Sequence, residues 1–589
     1  MNSETKNTSA DPVRVCQNCK KDFVIEPDDF AFYEKMKVPP PTFCPECRLI
    51  RRLVWRNERT LHRHICAKCK KSIISIFAPD SGTVVYCNPC WWADDWDATD
   101  YGVDFDPQKR FFVQFQELLH KVPMYSLHGL YTTLVNSDYT NMVSYLKNCY
   151  MVTYSDNSEN IAYGSFINHT KDSVDNLMSE ENELCYDTVN CNKCYKTFYS
   201  QDCKECNNIY FSKNCIDCQN CFGCANLKNQ KYHIYNNPVS KESFEEFVKK
   251  NTTNWEAVID AKKETHEFWD KFPQKYIHGI HNNNVSGDYI FDSKNTFSSY
   301  CVGDAEDCKF CAFVTSPGLK DSYDFTNFGV NSSLLHEVMQ AGDQVSRILF
   351  SWWAVTNCYD IEYSAFSVDS KNIFGSVGMK KKEYCILNKQ YSKEKYYQLR
   401  QIIINQMNSE PYTDSKGRVY RYGEFFPADM SPFGYNETTA QEFFPLQKDQ
   451  AEKMGFDWRD IEQKKYDITL QPEAVPEIGT VKDSIINEVI GCMHAGKCGH
   501  QCSTAFRIIP QELQFYRQLK IPIPRLCPNC RHGERLEQRN PIKLWHRQCM
   551  CDKKGHSHNG RCEVEFETSY APDRPEIVYC EQCYNSEVA

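Results

Sequence analysis

The chain carries one cysteine-bearing stretch twice, and any fold it adopts has to house both copies. FVIEPDDFAFYEKMKVPPPTFCPECR, from Phe23 to Arg48, aligns without a gap on FRIIPQELQFYRQLKIPIPRLCPNCR, from Phe506 to Arg531. Pro27, Tyr33, Lys37, Pro39, Pro41, Cys44, Cys47 and Arg48 fall on Pro510, Tyr516, Lys520, Pro522, Pro524, Cys527, Cys530 and Arg531. The molecule is therefore expected to be assembled from duplicated parts.

The cysteines define what those parts are. There are 33 in 589 residues, mostly as C-x2-C pairs beside basic residues, which suits metal thiolate sites better than a secreted disulfide framework. In the N-terminal module, residues 13–90, Cys16, Cys19, Cys44 and Cys47 can close one tetrahedral site, and Cys66, Cys69, Cys87 and Cys90 a second. A C-x2-C turn aims two sulfurs at one ion at about 2.3 Å while its backbone amides hydrogen-bond to them, the design of a zinc ribbon. Four thiolates leave zinc no open position, so these ions read as structural. In the C-terminal module, residues 491–589, Cys498, Cys502, Cys527 and Cys530 are expected to form a third site. The fourth has Cys580 and Cys583, with Cys549, Cys551 and Cys562 competing for two places; alignment of APDSGTVVYCNPC on APDRPEIVYCEQC favours Cys549 and Cys562. About four zinc ions result.

Between the first two sites lies a basic run, Arg48, Arg51, Arg52, Arg56, Arg59 and Arg63, retained in part in the second copy as Arg531, Arg535 and Arg539. If the run is helical, its spacing puts Arg48, Arg52, Arg56 and Arg59 on one side, a face suited to RNA or DNA phosphates. The alternative is that these arginines satisfy acidic groups elsewhere, since the formal net charge is -10.

Residues 91–137 read as an aromatic, acidic linker ending in a short helix with Phe111, Phe112, Phe115, Leu118 and Leu119 on one face. Residues 138–270 change character. YDTVNCNKCYKT, FYSQDCKECNNI and YFSKNCIDCQNC are three successive twelve-residue units, the mark of a narrow β-solenoid whose turns bury their inward side chains by stacking. Its cysteines, Cys191, Cys194, Cys203, Cys206, Cys215, Cys218, Cys221 and Cys224, are either a ladder of small core residues or further metal ligands. Residues 288–405 repeat this segment with most ladder cysteines replaced, and replacement is easier for a packed ladder than for a ligand set. Ser240 and Ser392 precede amphipathic runs and read as N-caps of helices closing each solenoid. A Phe/Pro-rich connecting block covers residues 406–490. The expected fold is mainly β: duplicated zinc-ribbon modules at both ends flanking two short-period solenoids with capping helices.

Three stretches, RYGEFFPADMSPFGYNETTAQEFFPLQKDQAEKMGFDW, PTFCPECRLIRRLVWRNE and SKNCIDCQNCFGCANL, resemble a group of large uncharacterised cysteine-rich zinc-ribbon proteins of uncultivated small-genome bacteria. That resemblance implies the architecture and a bacterial cytoplasmic setting, and no activity.

Catalytic motifs are absent from the sequence. GCMHAGKC, from Gly491 to Cys498, imitates a phosphate loop with cysteine in place of the magnesium-binding Ser or Thr. There is no G-x-S-x-G, no H-E-x-x-H, no apolar stretch of membrane-spanning length and no secretion signal. The reading is a soluble cytoplasmic, non-enzymatic zinc scaffold holding RNA, DNA or a ribonucleoprotein through its basic faces. Two alternatives stand beside it: a protein–protein scaffold with purely structural ribbons, and an enzyme or metal-handling protein with a site on the solenoid.

Overall fold

The computed structural model describes residues 12–460 and 465–588. More residues lie in strands than in helices. The chain divides into two compact units, each discontinuous in sequence: residues 12–126 with 277–460, and residues 127–276 with 465–588. The N-terminal cysteine module thus shares a unit with the second run of strands, and the C-terminal module shares one with the first. The block expected over 406–490 is split between the units, and its residues 461–464 lie outside the described residues.

In the second unit, strands from Asn141–Lys147 to Lys231–Ile234 pair in parallel at a twelve-residue register, with Asn141 against Thr153, Val174 against Tyr186, Thr197 against Ile209 and Ile209 against Cys221. These pairings form a closed tube of parallel strands. Within the twelve lies a period of three. Left-handed backbone recurs at Asp187, Asn190, Lys193, Lys196, Tyr199 and Asp202, with φ between 50° and 55°, which gives each turn four corners. Left-handed φ strains most side chains, and Asn and Asp tolerate it best because they bond to nearby polar groups. Many corners are accordingly Asn or Asp, and they stack: Asn136, Asn148, Asn160 and Asp172 hydrogen-bond in sequence at 3.3, 3.0 and 2.8 Å.

The same period selects the core. Cys185, Thr188, Cys191, Cys194, Thr197, Ser200, Cys203, Cys206 and Ile209 follow one another at every third position, and all are buried. Four inward side chains per turn leave little room each, so Cys, Ser and Thr dominate where a broader sheet would use Leu and Phe. In the first unit the tube built from residues 283–390 opens at eleven, with Asn283 against Lys294, and then takes the twelve-residue register toward both ends, as in Thr296 against Cys308 and Ile361 against Ile373. Its middle turns lengthen to 14 residues at Cys308–Ser322 and 13 at Leu335–Ile348. Helices follow both tubes. Ser240 accepts from the Ser243 amide to start Lys241–Asn251, and Ser392 accepts from the Lys395 amide to start Lys393–Ser409. Phe244 of the former packs with Phe211 and Phe222 over the last turns of its tube.

Each cysteine module grips its tube through a helix that begins at a C-P-x-C pair. In the first unit, Pro45–Leu53 packs on strands Leu319–Thr326 and Ser333–Met339. Arg48 Nε lies 2.9 Å from Asp324, Arg52 Nη1 lies 3.2 Å from both Asp324 and Glu337, and Arg51 bonds to Glu337 at 2.6 Å and Glu424 at 2.8 Å. These side chains are at most 5% exposed, so the charges meet in a dry interface. Burial by itself would raise the Asp324 carboxyl, but Arg48 and Arg52 outweigh it and hold it below its ordinary range. The second unit repeats the device. In helix Pro528–Glu537, Arg531 reaches Asp175 at 2.8 Å and Glu512 at 3.2 Å, and Arg535 reaches Asp175 at 3.0 Å and Asp187 at 3.2 Å. Removing one partner of a buried pair strands the other charge. Asp175→Asn should therefore lower the stability of the second unit by about 3–5 kcal/mol, read as an earlier denaturant midpoint. Lys147→Ala, which breaks the solvent-facing pair with Glu159, should leave the midpoint in place.

His336 lies among the rings of Phe32, Tyr33 and Phe350 at 5.4–5.7 Å, and burial pushes its pKa down to about 4. An unfolded histidine protonates near pH 6.5, so between about pH 6.5 and 4 the unfolded chain binds the extra proton. Its contribution is complete above pH 6.5 and is lost as the pH falls toward 4, by about 3 kcal/mol in all. His336→Phe should shrink the loss of thermal stability between pH 7 and pH 4.5, measured by melting at each pH.

Candidate metal centres

Cys16 follows strand Val13–Val15, and its carbonyl accepts from Lys20, which takes the left-handed conformation that closes the knuckle. Cys44 caps helix Pro45–Leu53 and donates its amide to Cys16 Sγ at 3.3 Å, while Cys19 and Cys44 sulfurs lie 3.7 Å apart. Asn18 Nδ2 donates to Cys47 Sγ at 3.2 Å. Two thiolates on one tetrahedral ion should be about 3.8 Å apart. With only protons to share, the sulfurs divide unequally: Cys16, accepting from Cys44 and Cys47, is driven toward thiolate, and Cys44, donating to Cys16, is pushed up to about 12. A dication at the centre would let all four ionise together.

The second centre repeats this plan with Cys66, Cys69, Cys87 and Cys90. Amides of Cys69 and Cys87 point at Cys66 Sγ from 3.4 and 3.3 Å. Burial opposes ionisation of Cys66, but those amides and that of Lys68 outweigh it and bring the thiol to about 6. In the C-terminal module, Cys549, Cys562, Cys580 and Cys583 come together, with the Cys580 amide 3.2 Å from Cys549 Sγ. Cys551 is buried in the same cluster, in contact with Cys583 and 3.1 Å from His556 Nδ1, but is not one of the four.

The third centre differs from the sequence reading. Cys492 occupies the place assigned to Cys498, joining Cys502, Cys527 and Cys530. The Cys527 amide donates to Cys492 Sγ at 3.3 Å, as the Cys44 amide does to Cys16, and Cys492 and Cys530 sulfurs are 3.8 Å apart. Cys492 was hidden because nine residues separate it from Cys502, against two between Cys16 and Cys19. Counting back from the matched Phe23 and Phe506 with an insertion allowed would have found it. Cys498 lies with His494, His500 and Cys530. In all five groups the ligand atoms lie within 4.8 Å of one another.

The tube cysteines are placed differently. Cys191, Cys194, Cys203, Cys206, Cys215, Cys218, Cys221 and Cys224 belong to one buried cluster with Ile209. Each thiol reaches backbone carbonyls of its own turn and the next: Cys191 meets Val189 and Ser200 at 3.6 and 3.4 Å, and Cys203 meets Gln201 and Ser212 at 3.3 and 3.4 Å. Burial pushes Cys203 well above the ordinary thiol range. Sulfur neighbours act the other way on two members of the ladder: Cys191 drives the Cys194 thiol, and Cys206 the Cys218 thiol, well below that range.

The expected nucleic-acid face is corrected by the structure. Arg48, Arg51, Arg52 and Arg56 are buried in the first unit, Arg56 against Glu58, and Arg531, Arg535 and Arg539 are buried in the second. Arg59 is mostly covered and lies 3.6 Å from Glu442. Arg63, on strand His62–Ile65, is the exposed member of the set. The helix ends at Leu53, so of the expected side only Arg48 and Arg52 lie on it, and they meet the tube carboxylates Asp324 and Glu337, because an acidic chain supplies its own counter-charges; Arg56 and Arg59 lie beyond it.

The chain matches no model of a known protein family, and comparison with curated proteins gives no match. The two cysteine environments make different predictions for thiol chemistry. A strong chelator applied to the native protein should render the sixteen tetrad thiols reactive toward a disulfide reagent, whereas the tube thiols should react only after denaturant is added.

Proposed function

We propose that the chain is a non-enzymatic zinc scaffold in which two ribbon modules clamp two β-solenoids and the solenoid exteriors are offered to a protein partner. The observation that carries this reading is the joint placement of sulfurs and arginines. Each four-sulfur group provides a closed, all-thiolate set, the donor chemistry of structural zinc, with no position for a substrate or activated water. The arginine faces beside those groups are spent inside the same unit on Asp324, Glu337, Asp175 and Asp187. The ribbons therefore serve to fix the arginine helices on the tubes. Thiolate ligands require a reducing setting, and all 33 cysteines are free, in keeping with a cytoplasmic protein. Among the described residues no helix is long and apolar enough to cross a membrane.

The test is hydrogen exchange on the zinc-loaded and chelated full chain. Zinc removal should abolish protection in Pro45–Leu53 and Pro528–Glu537 while the tube strands near Cys203 stay protected. Unchanged protection of both helices would sink the clamp reading. A salt series with single-stranded RNA and duplex DNA tests the competing role: binding that falls by ~10³ or more between ~50 and ~200 mM salt would restore a nucleic-acid function on some other surface.

A further inference from the structure

The two copies of the cysteine module differ in the length of their knuckles, and at one of them the difference is chemically coherent. Where the first copy has the short knuckle Cys16-x2-Cys19, the second has Cys492-x9-Cys502, and the added residues carry His494, Cys498 and His500. Donor atoms of these three and of Cys530 lie within 4.8 Å of one another, with Cys498 Sγ 3.5 Å from Cys530 Sγ. Cys530 also belongs to the tetrad of Cys492, Cys502 and Cys527, at 3.8 Å from Cys492 and 3.4 Å from Cys527.

Both imidazoles have an unfilled Nδ1. In His494 and His500 that atom is buried and makes no hydrogen bond. Their Nε2 atoms face carboxylates on the adjoining helix Pro528–Glu537: His500 lies 2.7 Å from Glu537, and His494 lies 4.0 Å from Glu534. At His500 the hydrogen-bonded carboxylate behind Nε2 fixes the proton there and leaves the Nδ1 lone pair free, the usual outer support of a metal-bound histidine; Glu534 stands on the same side of His494, beyond hydrogen-bond reach. The helix has changed to suit. Aligned on Cys47 and Cys530, Glu534 and Glu537 replace Arg51 and Val54, and Gly533 replaces Ile50. A Cβ on Gly533 would lie 2.4 Å from His500 Cγ, so the glycine makes room for the ring.

We propose that this third centre is binuclear: a second divalent cation of zinc-like softness is held by His494, Cys498 and His500 and shares the Cys530 thiolate with the first. This rests on the reading of the tetrads as zinc sites. One dication among four thiolates carries a net charge of −2. Adding a second dication, two neutral imidazoles and the Cys498 thiolate brings the pair to −1, so the second ion relieves charge that the first leaves. On binding, the Cys498 S–H bond breaks and its proton goes to water, while the second ion forms two metal–sulfur bonds, to Cys498 and to the shared Cys530 thiolate, and two metal–nitrogen bonds. A mixed S/N set of this kind suits Zn²⁺, Co²⁺ or Cd²⁺.

Native mass spectrometry of the full chain loaded with zinc tests this. His494→Ala/His500→Ala should hold one ion fewer than the wild type. Gly533→Ile, which fills the space of the His500 ring by restoring the first copy's residue, should lose the same single ion by an independent route. In the cobalt-loaded wild type, the shared thiolate should couple the two ions, giving an electron-spin signal smaller than the cobalt content; the double variant should recover the missing signal. Equal ion counts in wild type and both variants would overturn the second ion and leave the four tetrads standing. A wild type that takes up no metal would overturn both.

Discussion

Carboxylate and guanidinium groups buried together hold this structure in order. A tube that repeats every twelve residues offers almost the same outer face on each turn, and an apolar helix laid on it could slide by a turn at little cost. Asp324 and Glu337 in one unit, and Asp175 and Asp187 in the other, mark particular turns with charge that only arginines at the matching helix positions satisfy. Burying such pairs contributes little net stability over apolar packing, but a displaced register would strand several charges at once. The cysteine centres complete the constraint. Each arginine helix starts at two members of a four-cysteine group, Cys44 and Cys47 or Cys527 and Cys530, so a metal held there would fix its first turn while the carboxylates fix its face.

Cysteine serves two roles at the same spacing. In the knuckles, the two sulfurs of Cys16-x2-Cys19 converge because Lys20 turns the chain back through a left-handed corner. In the tube, Cys191-x2-Cys194 and Cys203-x2-Cys206 follow the period of three, so both members of each pair face the bore from successive sides. In each knuckle, backbone amides point at a sulfur of the four-cysteine group; in the tube, each sulfur also lies against carbonyl oxygens of its own turn and the next.

The duplication has been used asymmetrically. Both modules keep the helix, the amide-to-sulfur contact and the buried arginines, which are the parts that hold a tube. Change is concentrated in the knuckles of the second copy. One gained His494, Cys498 and His500, and the other gained Cys551, His556 and His558 between Cys549 and Cys562. Loops outside the helix–tube contact can lengthen without disturbing packing, which is where added donor groups are tolerated.

The sequence by itself determined the parts. Gap-free alignment established the duplicated module, C-x2-C spacing marked three of the four-cysteine groups completely or nearly so, and the twelve-residue period announced stacked parallel turns. The finer period of three was also present, in the run from Cys185 through Thr188 to Cys191 and beyond, but C-x2-C pairs are read first as metal motifs and so obscure it. Tertiary structure decided which module sits on which tube, since neighbours in the sequence are not partners here. It also decided the fate of the arginines. A helical face of Arg48 and Arg52 looks the same in sequence whether it meets phosphate or Asp324, because the complementary charge lies some 270 residues away and no local pattern records it. Cys492 was displaced for the same kind of reason: metal coordination depends on where sulfurs meet in space, and a lengthened loop removes the spacing that signals it.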